Sequence, residues 1–516
     1  MKDDSRPPVT HHRPDAASRG SGAPSTDACG AESPSATRHG PDAAVRGSGA
    51  PSTDACGAEP PSATRRAAAR EDGTSPPAGH RITVVGIGAD GWSGLPERLR
   101  ALVLAADTVL GGRRHLAMLP DRPRQRRRAW PSPLREGLPP LLASLDGASA
   151  DSASADSAST GSASADSAST GSASPDGPST VALASGDPLV SGIATTLIDL
   201  LGADAVRVEP AVSSVALARA RMGWPAERCA VVGLVGRDPR LLLRQLAPGH
   251  RVLVLSSDGA TPAAVAALLV GAGYGASRMT VLGDLGADSE SRLETTADHW
   301  LASPPGTVPP LHVLALELLG PPGHGLVAGL PDDAFEHDGQ LTKRDLRASA
   351  LARLAPSPGQ HLWDVGAGAG SVGIEWMRAH PSCTATAVEA HPERAARIGR
   401  NAGRLGVPGL DVVTGRAPDA LAGLPKPDAV FVGGGATRPG VLDACLGALR
   451  PGGRIVVHGV TLETEHLLAD AHRRRGGELT RIAVETTAPI GGFTGWTPAR
   501  TVTQWSLVMP ARQRPE

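Results

Sequence analysis

The stretch His337–Glu375 reads HDGQLTKRDLRASALARLAPSPGQHLWDVGAGAGSVGIE, and its middle decides the fold. His361–Leu362–Trp363 is a short apolar segment with the character of a strand. Asp364–Val365–Gly366–Ala367–Gly368–Ala369–Gly370 follows as a glycine turn, and Ser371 to His380 reads as a helix. Strand, tight glycine turn and helix make one nucleotide-binding unit of an α/β sheet. Glycine allows a backbone to approach a ligand that any Cβ would hold off.

Three features sharpen this reading. Asp364 sits at the strand end, just before the first glycine. The glycines fall at 366, 368 and 370, a G-x-G-x-G spacing that disfavours the dinucleotide G-x-G-x-x-G. A second strand, Thr384–Val388, ends in Glu389, where an acid is placed to accept hydrogen bonds from two ribose hydroxyls. This arrangement resembles that of class I S-adenosylmethionine (SAM) methyltransferases. A turn serving only helix–strand packing and an NAD site are the competing readings.

The 516 residues suffice for two or three domains. A formal net charge of −1 supplies no bulk attraction to nucleic acid or to an anionic membrane. No apolar run reaches the roughly 18 residues of a membrane span. The N-terminus lacks an apolar signal core. The five cysteines show no metal-type spacing, and their odd count points to a reducing, cytoplasmic setting.

Residues 1–79 read as a disordered tail. Pro14–Arg38 and Pro41–Arg65 are near copies with almost no large apolar residues, too few to offset the entropy of ordering. Order begins at Arg81, with strands expected at Ile82–Val85, Thr108–Leu110, Val181–Ala184, Val206–Val208, Ala230–Leu234, Val252–Leu255 and His312–Leu316. Helices are expected between them, including Pro96–Ala106 and Thr261–Ala272. Residues 148–180 form a Ser/Ala/Asp low-complexity insertion, read as a flexible surface segment. The basic run Arg124–Arg128 reads as a solvated loop, and no aromatic platform accompanies it to bind nucleic acid. Gly320–Gly325 opens a linker, which divides the chain into 80–325 and 326–516. The second part continues with a helix from His391 to Leu405 and strands at Asp411–Thr414, Asp428–Val432, Arg454–Val457, Leu479–Val484 and Thr501–Val508. The last two are expected to pair around a loop holding Gly491–Trp496, which makes seven strands.

Further stretches carry a resemblance. GLPDDAFEHDGQLTKRDLRA (329–348), LWDVGAGAGSVGIEW (362–376), FVGGGAT (431–437), LRPGGRIVVHGVTLE (449–463) and GGFTGWTPARTVTQW (491–505) resemble the precorrin-6B methylase family, which methylates C15 and decarboxylates. ITVVGIGADG (82–91), GGRRHL (111–116), LASGDPLVSGI (183–193) and EPAVSSV (209–215) resemble the C5-methylating members of the tetrapyrrole methylase superfamily. The resemblance implies an α/β chain. A tetrapyrrole methylase fold, two α/β subdomains around a cleft, would be fused to a class I Rossmann-like SAM methyltransferase fold. It implies methylation of a corrin precursor at C5 and C15, with decarboxylation of the ring C acetate (precorrin-6B to precorrin-8X), in cobalamin biosynthesis. It also implies a homo-oligomer, in the form of a tetramer built mainly through the second domain.

The same resemblance implies two SAM sites. In the second part it places Thr342, Gly366, Ala367, Gly368, Ala369, Gly370, Glu389 and Ala417 around the donor. In the first part it places Gly86, Gly88, Ser185, Gly186, Asp187, Ser213 and Ser214 there. Thr342 read as a helix N-cap and Asp187 read as a turn former are the plainer alternatives. A substrate rich in acetates and propionates calls for cations, and Lys343, Arg344 and Arg347 crowd one helix. His337 or Asp338 could manage the proton of decarboxylation. No metal is called for. Two rival functions remain: a SAM-dependent enzyme acting on RNA or protein, and a first domain that only docks the tetrapyrrole.

Overall fold

In a computed structural model, the described residues are 82–153 and 179–511. The tail and all but the ends of the low-complexity insertion lie outside them. The insertion's first residues, through Ala153, end a helix that starts at Leu134.

The first sheet joins β1 (Ile82–Ile87), β2 (Thr108–Gly111), β3 (Arg126–Ala129), β4 (Thr180–Ser185) and β5 (Val206–Glu209) in the order β3-β2-β4-β1-β5, all parallel. The second joins β6 (Ala230–Gly233), β7 (Arg251–Leu255), β8 (Arg278–Gly283), β9 (Ser291–Thr296) and β10 (His312–Glu317) in the order β6-β7-β10-β8-β9, and only the first pair is parallel. The basic run Arg124–Arg128 is thus not a solvated loop, because most of it forms the edge strand β3. A charged edge strand blunts edge-to-edge association and carries no apolar alternation to betray it. The exposed edge strand β9 evades pattern reading for the same reason.

The third sheet comprises β11 (His361–Val365), β12 (Thr384–Glu389), β13 (Asp411–Thr414), β14 (Ala429–Val432), β15 (Arg454–Gly459), β16 (Glu478–Ile482) and β19 (Val502–Val508). Its order is β13-β12-β11-β14-β15-β19-β16, and only the contacts of β19 are antiparallel. The expected pairing of the last two strands is present. The segment between them is not an irregular loop but a two-stranded ribbon, β17 (Glu485–Ile490) and β18 (Phe493–Pro498).

Strand alternation sets the two faces of this third sheet. Leu362, Ala385, Phe431 and Val456 pack one layer with Val372, Trp376 and Ile398. Trp363, Val365, Val430, Ile455 and Trp505 pack the opposite layer with Val441, Cys445 and Leu468. Full burial of a valine, leucine, isoleucine or phenylalanine side chain in these layers contributes about 1.5–3 kcal/mol. The segment joining the second and third sheets is pinned on both sides. The Tyr274 hydroxyl donates to Pro321 O at 2.6 Å, and Arg378 Nη2 donates to His324 O at 3.0 Å.

Candidate active site

The carboxyl ends of β11 to β15 open on a cavity of about 740 Å³. One half is built by the glycine turn. Gly366, Gly368 and Gly370 all have positive φ, at +68°, +59° and +75°, a region that L side chains rarely adopt. The turn is also closed by its neighbours, since a Cβ at Gly366 would stand 2.6 Å from Gly434 O and one at Gly368 would stand 2.7 Å from Gln340 O. Glu389 ends β12 and is 5% exposed. Its Oε2 accepts from Gly368 N at 2.8 Å and its Oε1 from His391 N at 3.0 Å. The carboxylate thus ties the turn to the wall of the cavity, and each oxygen keeps a lone pair for a diol.

Of the residues expected here, Thr342, Gly366, Ala367, Gly368, Glu389 and Ala417 line the cavity. Ala369 and Gly370 do not. Ala369 is fully buried, and Gly370 precedes the helix Ser371–Ala379 against Ile398. Thr342 does not cap the following helix, whose N-cap is Lys343. His337 and Asp338 lie off the cavity. His337 Nδ1 accepts from Gly339 N at 3.0 Å. Asp338 is paired with Arg394 at 2.8 Å and Arg397 at 3.2 Å. The Arg394 hydrogen bond, with further bonds from Gln340 and Arg397, holds this carboxyl well below the usual range, so it stays ionised and has no proton to give.

Lys343 lines the cavity and Arg344 is exposed outside it. The expectation for Arg347 is corrected: it has no exposure and cannot meet a substrate. Its Nε donates to Glu375 Oε1 at 2.5 Å, its Nη1 and Nη2 donate to Thr342 O and Leu330 O, and its guanidinium lies over Phe335. Glu375 also accepts from Gly329 N and Leu330 N. This network clamps the segment that carries Gly339–Thr342 onto the sheet. Removing one partner of a buried ion pair costs about 3–5 kcal/mol. Arg347→Met is therefore expected to lower the free energy of unfolding by that amount, and a variant as stable as the parent in urea titration would refute the assignment.

Alternation turns Asp364 toward the helix Ser371–Ala379, where its Oδ2 accepts from Gly373 N at 2.9 Å. Its Oδ1 is buried and has no partner among the described residues. Burial pushes this carboxyl up to about 7; the Gly373 bond opposes the rise, and the Glu389 charge adds to it. A carboxyl whose folded pKa lies above its unfolded value costs stability as pH climbs between the two. Asp364→Asn escapes that cost. Its stability relative to the parent is expected to rise between pH ~4 and ~7 by about 2–4 kcal/mol. Chemical denaturation at several pH values measures this, and a difference that stays level with pH would exclude it.

Basic residues line the cavity as well. Arg416 follows β13, Arg438 follows β14 and Arg500 precedes β19, and all three line the wall, as does the 9%-exposed His458 of β15. None of these was singled out from the sequence as a ligand. They come from separate loops that only the sheet topology gathers.

A second, narrow cleft of about 70 Å³ lies between the first two sheets. Gly88, Ser185, Gly186 and Ser214 line it; Gly86, Asp187 and Ser213 do not. A Cβ on Gly86 would meet Gly186 O at 2.3 Å, so this glycine seats the loop after β4. Asp187 Oδ1 accepts from Leu189 N, and Ser213 Oγ caps the helix Ser214–Met222 by accepting from Ala216 N. Arg114 lines the cleft as well. Arg114 Nη2 and His115 Nε2 lie 3.2 and 3.0 Å from Ser185 Oγ. Burial, helped by the Arg114 charge, pushes His115 down to about 4 and keeps it neutral.

Two unrelated parallel-sheet units, each with a glycine-bearing loop at its strand ends, define a chain of two methyltransferase folds. Family models agree: residues 81–300 match tetrapyrrole (corrin/porphyrin) methylases, and residues 333–509 match a precorrin methyltransferase domain. The precorrin-6Y C(5,15)-methyltransferase [decarboxylating] of a Sinorhizobium species is 44% identical over 428 residues, 82% of this chain and 95% of that one. The enzyme of the same name from Mycobacterium tuberculosis is 43% identical over 83% of this chain and 99% of that one. The chain belongs to the precorrin-6Y C5,15-methyltransferase (decarboxylating) family. The crystal structure of the C-terminal domain of a precorrin-6Y C5,15-methyltransferase from Rhodobacter capsulatus is 44% identical, covering 36% of this chain and all of that domain, with a TM-score of 0.34.

Proposed function

We propose that this chain methylates a corrin precursor at C5 and C15 and decarboxylates its ring C acetate, within cobalamin biosynthesis. The observation that carries this is the division of the large cavity: a glycine turn with Glu389 on the β12 side of β11, and Arg438 and Arg500, beside β14 and β19, on the other. An acid at the end of β12 fits a ribose diol, and clustered guanidiniums fit a polycarboxylate. SAM supplies an already activated methyl group. The protein's part is therefore to hold donor and acceptor carbon in line and to exclude water. Gly366–Gly368 and Glu389 would seat the donor, and the arginines would fix the macrocycle by its side chains. Loss of carbon dioxide leaves its bonding electron pair in the conjugated ring, and one proton converts the remaining methylene into a methyl group.

The C5 step would use a second SAM site in the narrow cleft, at Gly88, Ser185, Gly186 and Ser214, with residues 80–325 as one domain and 326–516 as the other. Incubating the full chain with labelled SAM and a precorrin, metal-free or cobalt-bearing, and locating the new methyl groups by NMR tests this. Absence of a C15 methyl with every precorrin would overturn it. The small volume of the N-terminal cleft favours keeping one rival, a first domain that only docks the tetrapyrrole. Calorimetric titration that finds one SAM per chain rather than two would select it.

The reading includes a cytoplasmic homo-oligomer, with a tetramer the expected form. Among the described residues no helix is long and apolar enough to cross a membrane. The ribbon β17–β18 leaves Phe493 83% and Trp496 68% exposed, which suits a face between copies of the chain. Light scattering is expected to give a multiple of the chain mass, and a monomer at micromolar concentration would reject this part.

A further inference from the structure

His458 reaches the cavity from β15. Its ring stands edge-on to Phe431, 5.0 Å between centroids and 83° between planes. β15 and β19 are antiparallel with His458 opposite Gln504, so the ladder itself sets this pair. His458 Nε2 lies 2.9 Å from one end of the Gln504 amide. The other end faces Arg353 Nε and Nη1 at 3.0 and 3.2 Å. A guanidinium can only donate. The amide oxygen therefore faces Arg353, and the amide nitrogen donates to His458 Nε2. Arg353 is held from behind by Glu478, at 2.9 Å from Nε and 3.2 Å from Nη2. Gln504 has no exposure, so it has no water with which to exchange partners.

A nitrogen that accepts from Gln504 carries no hydrogen. In the neutral ring the hydrogen is then on Nδ1. Burial holds the ring neutral, and the Arg353 charge reinforces this. Nδ1 has no partner among the described residues and, unlike the Nδ1 of His115, is not sealed from solvent. The charges around the ring are Arg353 and Glu478 behind Gln504, and Arg438 and Arg500 on the cavity wall.

We infer that Glu478, Arg353 and Gln504 lock His458 as a neutral donor whose Nδ1–H orients a carboxylate oxygen of the tetrapyrrole, so that it positions the substrate and moves no proton. This rests on the substrate class proposed above. The locked tautomer does not, and it is measured separately.

The first measurement is ¹⁵N NMR of histidine-labelled full-length protein, with His458→Asn used to assign the resonance. The expected result is a hydrogen on Nδ1 that persists from pH 5.5 to 8.5. A hydrogen on Nε2, or titration within that range, overturns the lock whatever the enzyme does. The second is C15 methylation. An asparagine amide reproduces the Nδ1–H position, so His458→Asn is expected to stay within about threefold of the parent, whereas His458→Ala raises the substrate KM about tenfold with little change in kcat. A KM for His458→Ala within twofold of the parent overturns the substrate contact. The third is Gln504→Glu, whose carboxylate can only accept and so draws the hydrogen to Nε2. That variant is expected to have a raised KM at pH 8.5 that recovers toward pH 5.5, as Nδ1 becomes a donor again in the imidazolium. A merely structural role for Gln504 gives a KM that does not vary with pH, and that result overturns the positioning role. Failure to form any methylated product in the parent would count against the proposed function and leave the NMR result standing.

Discussion

Glu389→Ala is expected to abolish most C15 methylation and leave C5 methylation standing. The side chain is nearly buried, and both oxygens serve the backbone, at Gly368 N and His391 N. Truncation removes the acceptor for the donor's ribose and strands two backbone N–H groups at the cavity wall. Each buried donor left unpaired costs about 1–3 kcal/mol. The loss of SAM affinity at this site is then about a hundredfold. Glu389→Gln keeps one acceptor and should lose less. The converse variant belongs in the narrow cleft. Gly186 has φ +56°, where a β-branched residue is strained by about 1–3 kcal/mol. Gly186→Val should therefore remove C5 methylation and spare C15. Asp187→Ala, off the cleft and bonded only to its own turn, should do much less. Locating the methyl groups by NMR after each variant decides the matter. If Glu389→Ala or Gly186→Val removes both methyl groups equally, the two-site reading fails.

The contrast between these residues shows what sequence can carry. The glycine turn and Glu389 were legible because each is local: a strand, its terminal acid and a fixed spacing lie within a few residues. The inner strands β11, β12, β14 and β15 were legible for the same reason, since buried strands write continuous apolar runs. The edge strand β3 and the ribbon β17–β18 pack little, and nothing in their composition reports a partner. Arg347 was misread because a basic cluster does not announce which member faces inward. Its spacing did carry the signal. Leu346, Arg347, Ala350, Leu351 and Leu354 form one buried stripe at helical intervals, and a buried arginine demands a carboxylate, which Glu375 supplies. No comparable signal existed for Arg416, Arg438, Arg500 and His458. Each is a single polar residue on or beside a different strand, and only the order of strands in the sheet brings them to one cavity.

Those arginines make the second large effect. Arg438→Glu and Arg500→Glu are expected to raise the KM for the tetrapyrrole, and to leave SAM binding at Glu389 unchanged. None of Arg416, Arg438 and Arg500 has a carboxylate within ion-pair distance among the described residues. Their neighbour Arg394, by contrast, is already paired with Asp338. Guanidiniums without carboxylate partners that line one cavity repel one another, and a polyanion relieves that cost on binding. Reversing one charge removes a charge-assisted hydrogen bond worth about 1.5–3 kcal/mol and adds repulsion, so the expected rise in KM is about a hundredfold. The effect should shrink as salt screens the exposed part of the field. Arg344→Glu, exposed outside the cavity on the helix Arg344–Leu354, is the control and should change KM less than threefold. Steady-state kinetics with varied tetrapyrrole, alongside direct titration of SAM, separates the two ligands. A loss of SAM affinity equal to the loss of tetrapyrrole affinity would mean that the arginines hold the donor, and the division of the cavity into a donor half and a polyanion half would be wrong.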